Sequence, residues 1–329
     1  MWRPIRSLEI PKSGRRIHSA IENRQSEISR GAAEDSGRYI AAEDSGRYIV
    51  PVDQQTIGLI AGAGVLPVLT ARGIRAAGHR VVCIGLNGQV EPELPPLCAE
   101  YASAGIARPN RWIRLLRRWG AGDTVMVGKV RKTTMYDPLK FVRYLPDWRA
   151  IRLWYVKLRH DRRTDRMLGA LADELASEGI VLIDTTKYIP EHMAGEGPMT
   201  RCRPTESQLA DVAFALPIAQ RMGDLDVGQA IAVKDREVIA VEAIEGTDAM
   251  IARAGGLCRK GAWTLVKLAK PRQDMRFDVP TVGVSTIESL KRAGGTCLAV
   301  EAGKVILLDK PAFLAAAEQA GVAVVGVKV

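Results

Sequence analysis

TIGLIAGAGVLPVLTARGIRAAGHRVVCIGLNG, residues 56–88, predicts a strand, a Gly-rich turn, a helix and a second strand. This order and length are typical of a βαβ unit, whose two strands are parallel. Further β-like runs at 123–128 and 179–184 alternate with helical stretches, which continues the α/β pattern. The sequence therefore predicts a Rossmann-like parallel-sheet domain over residues 56–192.

A second α/β domain is predicted for residues 205–329, where helical and β-like runs alternate again. The Gly- and Pro-containing segment 193–204 is predicted to be the linker between the two domains. The first 55 residues are rich in Arg, Glu, Ser and Gly, and the nonapeptide AAEDSGRYI at 32–40 is repeated at 41–49. This composition predicts a disordered extension over residues 1–55.

Composition narrows the class of protein. The chain has 329 residues, 47% of them hydrophobic, with 47 Lys+Arg against 37 Asp+Glu, which is typical of a basic globular protein. No run approaches the roughly 18 consecutive apolar residues of a membrane span. Five widely spaced cysteines without a C-x-x-C pair, and only four histidines, argue against a disulfide framework or a Cys/His zinc site. We therefore expect a cytoplasmic protein.

The Gly-rich turn, GAGVLP, follows a strand and opens a helix, where backbone amides favour an anion. Gly62 and Gly64 occupy the first two glycine positions of a dinucleotide fingerprint, but Pro67 replaces the third. The second strand also ends without an acidic residue for a ribose hydroxyl. A dinucleotide, another nucleotide or sugar phosphate, and a plain tight turn all remain open.

Positive charge is concentrated in residues 108–166, with 17 Lys+Arg, 5 Asp+Glu and eight aromatic residues. Basic side chains beside Trp and Tyr suit an anionic membrane surface. They equally suit RNA, through phosphate contacts and base stacking, or a solvated helix face. For a membrane, the candidate contacts in this segment are Arg114, Arg117, Arg118 and Arg159.

Acidic and basic side chains alternate near residue 276. If RQDMRFDV is extended, then Asp274, Arg276 and Asp278 share one face of a strand. Carboxylates in such a pattern hold Mg²⁺ through oxygen, and cations beside them can neutralise a phosphoryl transition state. A charged strand face exposed to water is the other interpretation.

Two helix starts are predicted in the second domain. In EGTD, Gly246 and Thr247 begin a helix and can present amides and a hydroxyl to an anion, although Thr247 can equally be only the N-cap. Further along, Ser285 and Glu288 have the spacing of a capping box.

Five segments together resemble the UDP-2,3-diacylglucosamine pyrophosphatase family of lipid A biosynthesis, the type unrelated to calcineurin-like phosphoesterases. The resemblance covers about residues 57–329. The segments are GLIAGAGVLP (58–67), LDVGQAIAV (225–233), AVEAIEGTDAM (240–250), VKLAKPRQDMRFDVPTVG (266–283) and AVEAGKVILLDK (299–310).

The resemblance implies two α/β domains and hydrolysis of UDP-2,3-diacylglucosamine to 2,3-diacylglucosamine 1-phosphate and UMP. Water would attack the α-phosphorus with Mg²⁺ assisting. By motif match, Asp278 of RFDVP is implied to be catalytic, as metal ligand or general base. Asp248 of EGTD is implied to be a second catalytic residue that holds the metal or positions phosphate.

The resemblance also implies a set of substrate contacts: Gly62, Gly64, Gly246, Thr247, Lys267, Lys270 and Arg276. A diacyl substrate resides in a bilayer, so the segment 108–166 is expected to bring the enzyme to the inner membrane surface. No nucleic acid is then expected as a partner, and a homo-oligomer is left open. The competing classes are a dinucleotide oxidoreductase and a non-catalytic RNA- or nucleotide-sugar-binding protein.

Overall fold

The computed structural model describes most of the chain from residue 54 onward, and the described residues belong to one compact unit. The predicted disordered extension, 1–55, lies outside the described residues except for its last two. The described ranges are 54–86, 89–129, 146–153, 155, 164–271, 273–277 and 279–329, without the side chains of residues 164 and 165.

The first lobe is built on a five-stranded, fully parallel sheet with the order β3-β2-β1-β4-β5. The α/β class predicted from the sequence is confirmed. Its strands are β1 Thr56–Ala61, β2 Arg80–Leu86, β3 Glu100–Ala104, β4 Asp123–Val127 and β5 Val181–Leu182. Its helices are α1 Leu66–Ala76, α2 Pro109–Trp119, α3 Trp148–Arg152 and α4 Thr164–Ala176.

Burial on both faces explains why the central strands are apolar throughout. Every residue of β1 after Thr56, and every residue of β2 after Arg80, is buried. Separate apolar clusters cover the two faces, one containing Ile60 and Ile84 and the other Leu59. A parallel sheet needs such double cover, so its strands read as continuous apolar runs rather than as alternating ones.

The second lobe has a mixed six-stranded sheet of order β6-β13-β11-β9-β7-β8 and a small parallel pair, β10-β12. Its strands are β6 Gly197–Pro198, β7 Ala230–Lys234, β8 Glu237–Val241, β9 Trp263–Lys267, β10 Thr281–Val282, β11 Gly295–Glu301, β12 Ile306–Leu307 and β13 Ala323–Val327. Its helices are α5 Glu206–Asp224, α6 Thr247–Leu257, α7 Val284–Ala293 and α8 Lys310–Ala320. Residues 205–329, predicted as a second α/β domain, lie in this lobe, which also includes β6 of the predicted linker.

The segment 193–204 lies along the edge of the second sheet. Its strand β6 pairs antiparallel with β13, and the Met199 amide donates to Val324 O at 2.8 Å. The Thr200 hydroxyl then accepts the Val324 amide at 2.9 Å. This predicted linker therefore contributes ordered backbone to the second lobe.

The predicted extended strand at 274–278 is wrong for its described part, because residues 275–277 form a turn. The Arg276 amide donates to Asp274 Oδ1 at 3.1 Å, and the Phe277 amide donates to Asp274 O at 3.2 Å. An aspartate that accepts from the amide two residues on favours such a turn over a strand. Asp278 itself lies outside the described residues.

The predicted helix starts of the second lobe need two corrections. Helix α7 begins at Val284, and the Thr286 hydroxyl accepts the Gly283 amide at 3.3 Å, so the Ser285–Glu288 capping box is wrong. At α6 the N-cap is Gly246, with φ of +83°, and Thr247 is the first helical residue. Among the described helices, none is long and apolar enough to cross a membrane.

Candidate functional site

In the first lobe, the chain adds strands on one side of β1 up to β3 and then continues on the other side with β4, so the strand order reverses between β1 and β4. In open α/β sheets, ligands bind at such a point, outside the carboxyl ends of the strands. Gly62 follows β1 and lies against Gly128, which follows β4. A Cβ added to Gly62 would be 2.8 Å from the Gly128 carbonyl carbon, so the two backbones can approach only as glycines. The Gly-rich turn is thereby fixed at the reversal point.

The amides of this turn already donate within the protein. Gly62 N–H donates to Val127 O and Ala63 N–H to Lys129 O, both at 2.8 Å, and Gly64 N–H donates to the Glu91 carboxylate at 3.2 Å. A carboxylate thus occupies the position that an anion would take at Gly64, which has φ of +99° and open space beside it. Substrate contact at Gly62 and Gly64 stays a prediction, and it requires Glu91 to move.

In the second lobe, the side chains of Glu242 and Thr247 form a connected cluster with Lys267, which lies 20 residues after Thr247. The Thr247 hydroxyl donates to Glu242 Oε1 at 2.8 Å, and Lys267 Nζ donates to Thr247 Oγ1 at 3.2 Å and to Thr281 O at 3.0 Å. Glu242 and Lys267 are 7% and 6% exposed. Buried charges of this kind are stable only when they are compensated.

Two of the predicted substrate contacts, Thr247 and Lys267, are therefore brought together. Gly246 adjoins them as the N-cap of α6, where its positive φ favours glycine. Asp248 lies in the first turn of α6 and is exposed to solvent. A carboxylate at this end of a helix interacts favourably with the helix dipole.

The other two predicted phosphate-binding cations are paired with carboxylates. Lys270 Nζ lies 2.5 Å from Asp226 Oδ1. Arg276 donates to both oxygens of Asp274, at 2.9 and 2.6 Å, in a fork. This fork holds the pKa of the Asp274 carboxyl below its usual value and raises the pKa of Arg276.

The turn that carries Arg276 is attached to the first lobe. The Thr185 amide donates to Met275 O at 3.2 Å, and the Thr185 hydroxyl lies 3.1 Å from Arg276 O and 3.3 Å from Met126 O. Phe277 packs against an apolar cluster of the first lobe. The turn is thus held beside the carboxyl-terminal end of β4, and the next residue in the sequence is Asp278.

The described residues can supply oxygen ligands for Mg²⁺ but do not enclose one. Asp248 offers an exposed carboxylate, and Glu242 Oε2 is buried with no hydrogen-bond partner among the described residues. No group of three or more His, Cys, Asp or Glu that could hold a metal occurs in the described parts of the chain. Mg²⁺ usually binds through one or two carboxylates, water and substrate phosphate, so this donor chemistry fits it.

Exposed side chains of the basic segment lie on the two contacting helices α2 and α3, and we call this group the α2–α3 face. It consists of exposed side chains of helices α2 and α3 and of Tyr155, namely Arg111, Arg114, Trp148, Ile151, Arg152 and Tyr155. Trp148 is 55% and Tyr155 69% exposed. Trp112, by contrast, is buried and donates to Gly105 O at 3.0 Å.

Two arginines of the segment are paired with carboxylates. Arg149 lies between Glu174, at 2.9 Å, and Glu178, and Arg117 pairs with Glu178 at 2.8 Å. Of the other predicted membrane contacts, Arg114 belongs to the α2–α3 face, Arg118 is exposed, and Arg159 lies outside the described residues.

Some functional candidates were not predicted from the sequence. Glu91 and Thr185 contact their partners only through the fold, across 27 and 91 residues respectively, so spacing gave no signal for them. Glu242 was visible only as one of several acids near EGTD.

The fold and site define a two-lobed α/β protein, with a Gly-rich turn at a sheet reversal and a buried lysine–hydroxyl–carboxylate cluster in the second lobe. Residues 56–192 match the LpxI N-terminal domain and residues 195–325 match the LpxI C-terminal domain. UDP-2,3-diacylglucosamine pyrophosphatase LpxI of Caulobacter vibrioides is 32% identical over 279 residues, covering 82% of this chain and 97% of that protein. The chain belongs to the LpxI family, which confirms the resemblance found in the motifs.

Proposed function

We propose that this protein hydrolyses the pyrophosphate of UDP-2,3-diacylglucosamine, giving UMP and 2,3-diacylglucosamine 1-phosphate in lipid A biosynthesis. The observation that carries the proposal is the match to the Caulobacter vibrioides pyrophosphatase over nearly the whole of that protein. The buried Lys267 cluster supports it, because an anhydride hydrolase needs cationic groups beside a negatively charged substrate. Pro67 in place of the third fingerprint glycine, and the second strand that ends without an acidic residue, oppose a dinucleotide oxidoreductase.

In the proposed reaction, the oxygen of a water molecule attacks the α-phosphorus. The bond from this phosphorus to the bridging oxygen breaks, and the lipid phosphate leaves with the electron pair. One proton of the water passes to a carboxylate, for which Asp278 is our candidate if it acts as general base. Lys267 is proposed to face the phosphate charge, and the added cations Lys270 and Arg276 would contribute after leaving their carboxylate partners.

A bound Mg²⁺ would polarise the phosphoryl oxygens and neutralise their charge. We propose Asp248 as a protein ligand of this ion, and Asp278 as a second ligand if it does not act as the general base. The remaining positions would belong to water and substrate, as is usual for this ion. Asp278 is therefore proposed either as metal ligand or as general base. Its motif, RFDVP, is compatible with both roles.

The proposal is tested by incubating the full chain with UDP-2,3-diacylglucosamine in detergent, with Mg²⁺ or with EDTA, in water enriched in oxygen-18. We expect UMP release with Mg²⁺ only, and the label in the phosphate of UMP. Label in the lipid phosphate would place the attack on the other phosphorus. Undiminished release in EDTA would contradict the Mg²⁺ requirement.

We also propose that the α2–α3 face binds the inner membrane surface, since the diacyl substrate resides there. Each cation near an anionic surface contributes about 1 kcal/mol, and Trp148 and Tyr155 suit the headgroup region. Replacing Arg111, Arg114 and Arg152 together by Ala is expected to weaken binding to anionic vesicles by roughly a hundredfold.

Co-sedimentation with vesicles containing anionic lipid measures this change. The matched control replaces three exposed cations of the second lobe, Arg221, Arg259 and Lys260, and removes the same charge. Equal weakening by both triple variants would show a general charge effect and would contradict a specific membrane face.

A further inference from the structure

The hydrogen bonds of the second-lobe cluster have a fixed direction. An ammonium group has only donors, so Thr247 Oγ1 must accept from Lys267, at 3.2 Å. The single proton of the Thr247 hydroxyl is then directed to Glu242 Oε1, at 2.8 Å. The Glu242 carboxylate therefore orients the Thr247 hydroxyl, and the oxygen of this hydroxyl accepts a hydrogen bond from the Lys267 ammonium. In this arrangement, the Thr247 hydroxyl has no proton left to donate to a phosphate.

The backbone places these groups side by side across three neighbouring strands. Ala230 of β7 pairs with Lys267 of β9 on one side, and its carbonyl accepts the Glu242 amide at 2.8 Å on the other. Gly228 approaches so closely that a Cβ there would lie 2.0 Å from the Glu242 carbonyl oxygen. The positions of Glu242 and Lys267 are thus set by the sheet, and Thr247 is brought between them by the start of α6.

Burying these charged groups costs free energy, so a contribution to stability alone does not explain them. Glu242 and Lys267 are both more than nine-tenths buried, and Glu242 Oε2 has no hydrogen-bond partner among the described residues. Buried polar atoms without partners are rare in proteins, and replacement of both members of a buried ion pair by apolar residues is often neutral or stabilising. A role in holding Lys267 explains why a carboxylate stands at this position.

We propose that Glu242 is a positioning residue for the hydrolysis, acting through Thr247 to hold the Lys267 ammonium at the end of β9. This inference rests on the proposed function, and it changes the predicted role of Thr247 from phosphate contact to intermediary. Glu242 touches no reacting atom in this account. A carboxylate can only accept, so Glu242 always draws the Thr247 proton toward itself, whereas Gln can also turn an N–H group toward the hydroxyl.

The test is a double-mutant cycle on UMP release with Glu242→Gln, Thr247→Val and the combined variant. A misplacement near 1 Å can cost about a hundredfold in rate, so we expect each single variant to lower kcat by roughly 10–100-fold with KM nearly unchanged. Because both changes break one chain of hydrogen bonds, the combined variant should lose no more than about threefold beyond the worse single one. Thr247→Ser keeps the hydroxyl and should retain kcat within about threefold.

Glu237→Gln is the matched control, because Glu237 is an exposed acid at the start of β8. Circular dichroism establishes that the variants fold. Near-native kcat in Glu242→Gln, additive losses in the combined variant, or a Thr247→Ser variant as impaired as Thr247→Val would each overturn the positioning role while the hydrolase function stands. An inactive native protein would overturn both.

Discussion

Replacing Asp278 by Asn is expected to lower the rate of UMP release by about 10²–10⁴-fold, the range seen when a general base is removed. Loss of a metal ligand would reduce the rate comparably, because charge stabilisation at the phosphoryl group is lost. The side chain keeps its shape, so the free energy of unfolding should change little. Steady-state UMP release and urea denaturation of the same preparations measure the two quantities.

The control for Asp278→Asn is Asp235→Asn. Asp235 lies in the turn between β7 and β8 with φ of +53°, a conformation that Asn also tolerates. We therefore expect native activity in this control. An Asp278→Asn variant that is folded and retains more than a tenth of the native rate would remove Asp278 from the catalytic site, and EGTD would become the next segment to examine.

Replacing Gly228 by Ala is expected to affect both stability and activity. The new Cβ would lie 2.0 Å from the carbonyl oxygen and 2.7 Å from the carbonyl carbon of Glu242, and backbone atoms cannot yield as a flexible side chain does. Overpacking of this kind typically costs about 1–3 kcal/mol. If Glu242 moves to relieve this contact, its hydrogen bond with Thr247 is disturbed. We therefore expect kcat to fall as well.

Gly256→Ala provides the comparison, because nothing lies within 4 Å of a Cβ at that position of α6. Alanine favours a helix over glycine by up to about 1 kcal/mol, so this variant should be as stable as the native protein or slightly more so. Urea denaturation of both variants gives the free energies of unfolding. Equal stability of Gly228→Ala and the native chain would contradict the close approach to Glu242.

Strands β1, β2 and β4 of the first sheet could be predicted because they are buried and therefore appear as apolar runs between helices. The edge strand β3 is mostly exposed, and it was not predicted from the sequence. The strand order, and with it the position of the Gly-rich turn at the reversal point, follows from packing that no local pattern reports. The apolar and charged alternation of RQDMRFDV predicted a strand. Asp274 instead accepts its neighbours' amides and the Arg276 guanidinium, and these local bonds favour a turn.

The candidate site was predicted in part, and its limits have a physical cause. EGTD and Lys267 of VKLAK were visible as motifs, but the contact between Thr247 and Lys267 depends on β7 lying between β8 and β9. Glu242 and Lys267 are 25 residues apart, and only the sheet brings both beside Ala230. In the same way, the charge count of the basic segment predicted an exposed cationic surface, but it did not reveal that Arg149 is held by Glu174 and Glu178.

The central claim is tested most directly by determining which bond of UDP-2,3-diacylglucosamine the protein breaks. Nucleotide and lipid products would be quantified together after incubation of the full chain with this substrate and Mg²⁺, beside a known hydrolase. We predict UMP and 2,3-diacylglucosamine 1-phosphate in equal amounts. Release of UDP, or no nucleotide release under conditions in which the known hydrolase acts, would contradict the account.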